Sequence, residues 1–142
     1  MYETILNLHS YLAYVVLAVL FLAVANAILG LAQNKMFTLG KDLRLSLFAL
    51  ILSHIQLVIG LVLYFVSPRG FGNVKDSMGD SLARLVAVEH PLINIIAIVL
   101  ITIGWSKHKK VMEGNKKFKL IAIFYGLGLV LFLSRVPWNQ WF

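Results

Sequence analysis

The chain has 142 residues, enough for one compact unit, with 60% hydrophobic and 13% charged side chains and a mean hydropathy of +0.85. A soluble domain carries about 25% charge, so the composition excludes an ordinary soluble protein and points to one embedded in a bilayer. The absence of cysteine excludes disulfides, thiolate metal sites and cofactors attached through thioethers. The net charge of +7 does not indicate a nucleic-acid partner, because the basic residues lie in loops between apolar spans.

No secretory leader is expected, since the first charge is Glu3 rather than a basic segment and no small-residue cleavage site follows a short apolar core. Four apolar stretches follow, each long enough to cross a bilayer, which takes about 20 residues. They cover about residues 5–32, 43–66, 82–106 and 118–136. The second stops at SPRGFG and the fourth at PWNQWF. Runs this long and this uniformly apolar predict helices rather than barrel strands.

Lys and Arg set the orientation. The first loop holds Lys35, Lys41 and Arg44, and the third holds Lys107, Lys109, Lys110, Lys116, Lys117 and Lys119. The other side holds only Arg69, Lys75, Arg84 and Arg135. The excess of positive charge predicts that the first and third loops are cytoplasmic and that both termini lie on the outer side. Tyr2, Trp138 and Trp141 then belong to an outer aromatic belt. Short loops force antiparallel neighbours, so the expected fold is all-α: a single-domain transmembrane up-down four-helix bundle.

In a membrane bundle the inward face carries small and polar residues. A 3–4 spacing gives such a stripe on every span. The first has His9, Ala13, Val16, Leu20, Ala23, Ala27 and Gly30. The second has Ser46, Ala49, Ser53, Gln56, Gly60 and Ser67. The third has Ala83, Ala87, His90, Asn94, Ala97, Ile101, Gly104 and His108, and the fourth has Tyr125, Gly128, Phe132 and Arg135. His54 stands about 100° off the stripe of its own helix.

An ionisable residue within a span is costly and marks a functional site by default. His90 reads as a ligand or as a core histidine bonded to a neighbouring helix; His9 and His54 carry the same two readings. His108, in SKHKK, reads as part of a solvated basic loop. Imidazole suits zinc, copper, nickel and iron, but a closed zinc site wants four ligands. Haem b needs two axial imidazoles and a slot between helices. The first and third spans are diagonal in an up-down bundle, so His9 and His90 are the favoured axial pair, with His54 as a substitute or a tuning residue. Arg135 and Arg84 lie toward the same side and could neutralise haem propionates. One feature opposes the pair: from the cytoplasmic ends His9 lies about 23 residues out and His90 about 16, roughly a 10 Å mismatch in depth. Glu89 reads as an ion-pair partner of Arg84 or Arg135, or as a proton relay beside a cofactor. Pro91 is expected to kink the third span, and Tyr64 and Tyr125 read as packing residues.

The segments LHSYLAY, SHIQLVIGLVLYFVSP, AVEHPLINIIAIVLITIGWSKHKK and IFYGLGLVLFLSRVPW resemble small four-span proteins of Bacteroidetes-type bacteria labelled cytochrome B, over nearly the whole chain. Within that pattern His9, His54 and His90 match the histidines of the first three spans. A fainter similarity is to one four-helix half of haem A synthase, where His9, the run from Gln56 to Gly60, and His90 fall in the same order. The resemblance implies a bis-histidine haem b near the outer face, without haem A synthesis. The expected function is single-electron transfer in the bacterial inner membrane, with a quinol or a respiratory complex as partner. The alternatives are a cofactor-free subunit or assembly factor of a larger complex, and a copper- or zinc-handling membrane protein.

Overall fold

The computed structural model describes residues 1–138; Trp141, placed above in the aromatic belt, lies outside them. Four long helices carry the fold: α1 (Tyr2–Ala32), α2 (Leu39–Val66), α3 (Ser81–Lys109) and α4 (Gly114–Ser134). Each is long and apolar enough to cross a membrane. No strand occurs among the described residues. α1 packs on α2 and α4, and α3 packs on α4 and α2, so α1 and α3 face each other across a diagonal. Those are the neighbours expected of an up-down bundle.

The small and polar stripes turn inward. Val16, Leu20, Ala23, Ala27 and Gly30 are buried on α1, Ser46, Ala49 and Ser53 on α2, Ala97, Ile101, Gly104 and His108 on α3, and Tyr125, Gly128 and Phe132 on α4. Large apolar side chains such as Phe21, Phe48, Val58, Phe65 and Val130 are exposed on the outside. This is the arrangement a lipid solvent demands, because apolar side chains gain nothing by leaving acyl chains and helices hold together by close packing. Glycines supply the closeness. A Cβ on Gly30 would stand 2.5 Å from the Phe118 ring, one on Gly104 2.5 Å from Phe124 Cβ, and one on Gly128 2.6 Å from Ile101 Cγ1.

Two ends differ from the expected spans. α3 runs on to Lys109 and α4 starts at Gly114, so this hairpin is longer than 82–106 and 118–136 suggest. Lys107, His108 and Lys109 sit in the last turn of α3, where positive charge complements the carbonyl end of a helix. His108 is therefore not in a solvated loop; it is fully buried.

α2 and α3 each contain a π turn, at Leu39–Leu43 and Leu85–Glu89. In the first, the buried Asp42 carboxylate accepts bonds from Asn26 Nδ2 (2.7 Å), Thr38 N (2.8 Å) and Thr38 Oγ1 (3.2 Å). It thereby satisfies an orphan N–H at the helix start and ties α2 to α1. The second lies directly before His90 and Pro91. Proline has no N–H to give the carbonyl four residues back, which is that of Ala87. The Tyr64 hydroxyl on α2 donates to that carbonyl at 2.8 Å. Tyr64 is thus a hydrogen-bonding residue as well as a packing one. Pro137 leaves the Leu133 carbonyl in the same position, and Trp138 Nε1 donates to it at 3.2 Å.

Candidate functional site

A cavity of about 790 Å³ opens at the end of the bundle that holds the N terminus, within the size range of small-molecule and cofactor sites. α1 contributes His9 and Ala13 to its wall, α2 contributes Gln56 and Gly60, and α3 contributes His90 and Asn94. The diagonal helices thus present one histidine each. Their ring centroids lie 6.2 Å apart with the planes at 89°. Imidazole–metal bonds are about 2 Å long, so two imidazoles that share one metal have ring centres about 6 Å apart.

The two rings meet despite the expected depth mismatch; α3 runs to Lys109, three residues beyond the expected end, which places His90 farther from that end of its helix. Helix rise converts three residues to about 4.5 Å, which accounts for part of the difference.

Each histidine is held by its surroundings. His90 Nδ1 donates to the Arg135 backbone carbonyl at 2.8 Å. That carbonyl is free because α4 ends at Ser134 and Arg135 caps it, leaving the last turn without intrahelical donors. A proton fixed on Nδ1 leaves Nε2 as the acceptor of the ring, as in metal-binding histidines whose other nitrogen is held by a carbonyl; a metal there would displace the Asn94 amide that lies at 3.2 Å. Asn94 Nδ2 lies 3.2 Å from both nitrogens of the same ring, one helical turn on. His9 is fixed through its backbone: Gln56 Nε2 donates to its carbonyl at 2.7 Å. Its ring lies against Gly60, where a Cβ would come within 3.1 Å of Cε1. His9 Nδ1, Gln56 Oε1 and Asn94 Oδ1 are buried without a hydrogen-bond partner among the described residues.

The other predicted site residues lie elsewhere. His54 is exposed on α2 and does not line the cavity. Its Nδ1 donates to Leu50 O at 2.8 Å, and its Nε2 is 3.3 Å from Thr102 Oγ1 on α3. The Arg135 guanidinium does not line the cavity either; it faces Glu89, Nε to Oε1 3.7 Å, while Arg84 Nε takes Oε2 at 3.1 Å. Glu89 thus bridges both arginines rather than choosing one. What Arg135 contributes to the site is its carbonyl. The arginine that does line the cavity is Arg69, which the sequence marks only as one of the outer-side charges. Its one signal is its position between Pro68 and Gly70 at the end of an apolar span.

Among the described residues no three His, Cys, Asp or Glu side chains gather into a group that could hold a metal ion. Two imidazoles suffice only where another ligand completes the coordination sphere. No family model, no curated protein and no solved structure matches this chain, so the site stands on its own residues.

Proposed function

We propose that the protein is a membrane b-type cytochrome that holds haem b between His9 and His90 and passes single electrons. The observation that carries this reading is the facing pair of imidazoles, 6.2 Å between ring centres, on diagonal helices across a cavity. The residues fit the group. Haem would bring the further donors that the protein lacks, and His9 and His90 would hold its iron as neutral imidazoles. The bond from His90 Nδ1 to the Arg135 carbonyl favours the tautomer with its lone pair on Nε2, where iron would replace the Asn94 contact. His9 Nδ1 and Gln56 Oε1, both unpartnered, can satisfy each other by a small side-chain adjustment, which would fix the same tautomer on His9.

Haem b supplies a one-electron iron couple when bound. The protein sets its surroundings. Leu57, Ile98 and Phe132 give the cavity apolar wall beside Ser53, Gln56 and Asn94. The Lys and Arg asymmetry supports a reading in which both termini, and with them the cavity, lie on the outer side of the bacterial inner membrane. The electron partners then lie within or at that side of the bilayer: a quinol, or a subunit of a respiratory complex.

The test is a dithionite-reduced minus oxidised spectrum of protein purified from haem-replete cells, with pyridine haemochrome quantitation. Sharp α and Soret bands at near one haem per chain are the expected result. A flat spectrum would overturn the reading in favour of a cofactor-free packing subunit, and stoichiometric copper or zinc without haem would favour metal handling.

A further inference from the structure

We infer that Arg69 is the anion anchor of this cavity and that it pairs with a propionate carboxylate of the bound haem. The inference rests on the haem reading above and adds the residue that sets the orientation of the ligand.

Arg69 lies in the turn after α2 and lines the cavity. Among the described lining residues it alone carries a fixed charge; the rest are apolar, neutral polar or histidine. It is half-buried, and no acidic side chain among the described residues reaches it. The two other arginines at this end, Arg84 and Arg135, already share Glu89. Arg69 is therefore a cation at the wall of an apolar cavity with no internal counter-ion. A charge partly removed from water without a partner is costly, and the cost is offset when the occupant brings the anion.

The backbone holds Arg69 in place for that role. Its N–H donates to Ser67 Oγ at 3.1 Å. Gly70, next in the chain, is buried directly on the Tyr64 carbonyl, so close that any side chain there would overlap it. The turn is thus folded back onto the end of α2 rather than extended away from it, and Arg69 stays at the cavity. A planar guanidinium matches a carboxylate through two parallel hydrogen bonds. The occupant this selects is a largely apolar molecule with a carboxylate at one edge, which is the chemistry of haem b.

The experiment compares haem with its dimethyl ester, which lacks both carboxylates, by Soret titration of the purified apo-protein. Wild type is expected to bind haem at least tenfold more tightly than the ester. Arg69→Gln should lose most of that preference while binding the ester as wild type does, which shows that the variant is folded. Arg69→Lys should keep part of the preference, and Lys75→Gln, an exposed charge nearby in sequence, should keep all of it. A wild type indifferent to esterification, or an Arg69→Gln variant with the preference intact, overturns the role of Arg69 and leaves the haem reading standing. No Soret band with either ligand overturns both.

Discussion

The two ends of the bundle treat a buried histidine in opposite ways. At the end that holds the first and third loops, His108 is fully buried with its ring 4.6 Å from that of Trp105 and 5.6 Å from that of Phe37. Its Nδ1 donates to Trp105 O in its own helix at 2.6 Å, and its Nε2 is buried without a hydrogen-bond partner among the described residues. At the other end, His90 also gives its Nδ1 proton to a carbonyl, but across to the end of α4, and its ring faces His9 over a cavity. Burial and a carbonyl bond are common to both. What separates them is open volume and a second imidazole. The rings of Trp105 and Phe37 lie against His108, and it lines neither this cavity nor the smaller one beside Phe37.

The sharpest way to break this comparison is to truncate each ring in turn. His9→Ala and His90→Ala are each expected to abolish the Soret band of the purified protein. His108→Ala is expected to keep the full band and to lose stability instead, by about 2 kcal/mol, the low end for removing a large buried side chain. The check is a haem-to-protein ratio beside a thermal or denaturant unfolding curve for all three variants. A His90→Ala protein with full haem would show that the facing imidazoles are a packing feature like His108.

The next effect concerns glycines at the two ends. At Gly104 an added Cβ would stand 2.5 Å from Phe124 Cβ, held by its own backbone. Gly104→Ala is therefore expected to destabilise by about 1–3 kcal/mol, the usual range for overpacking, with unchanged haem content. At Gly60 the added Cβ meets a side chain, the His9 ring, at 3.1 Å. The ring can move by a few tenths of an ångström toward the cavity. Gly60→Ala is expected to leave stability nearly unchanged and to shift the Soret maximum or lower haem occupancy. Unfolding curves and spectra on both variants measure the crossover, and an identical response at both positions would remove the distinction between the ends.

The spans and their inward stripes were legible because helix period and small-residue packing are local in origin. The 3–4 spacing of Ala23, Ala27 and Gly30, or of Ala97, Ile101 and Gly104, is visible in the letters and is what the fold buries. His9 and His90 were legible as a pair by type and by diagonal position, but not by depth. Lys107, Lys109 and Lys110 look like a loop, whereas Lys107 and Lys109 lie in the last turn of α3, so a count from the expected end falls short. Arg69 was not legible, because its position depends on Gly70 pressing against the Tyr64 backbone, a tertiary contact in a turn that reads as punctuation. Arg135 was chosen for its charge, yet Glu89 occupies its guanidinium and its carbonyl faces His90. Tyr64 shows the same gap: Pro91 announces a carbonyl without a donor, but not which helix supplies one.

The smallest expected effect falls on the residue that the sequence places nearest to the histidine pair in kind and that the fold moves away. His54 shares its residue type with His9 and His90, and its depth on α2 is unremarkable, so only the rotation of its helix separates it from the cavity. That rotation is set by the stripe of Ser46, Ala49 and Ser53, which is buried, and it leaves the His54 ring outside, near Thr102. The Thr102 hydroxyl already lies 2.7 Å from Ile98 O, so its contact with His54 at 3.3 Å is weak. Interhelical polar contacts in membranes average about 0.6 kcal/mol, and His54→Ala is expected to lose no more than about that. Haem content and the reduced α-band position should match wild type. Loss of the Soret band in His54→Ala would place this ring, and not one of the facing pair, on the iron; it would require α2 to turn by about 100° and would bury its present outer face in place of Ala49 and Ser53.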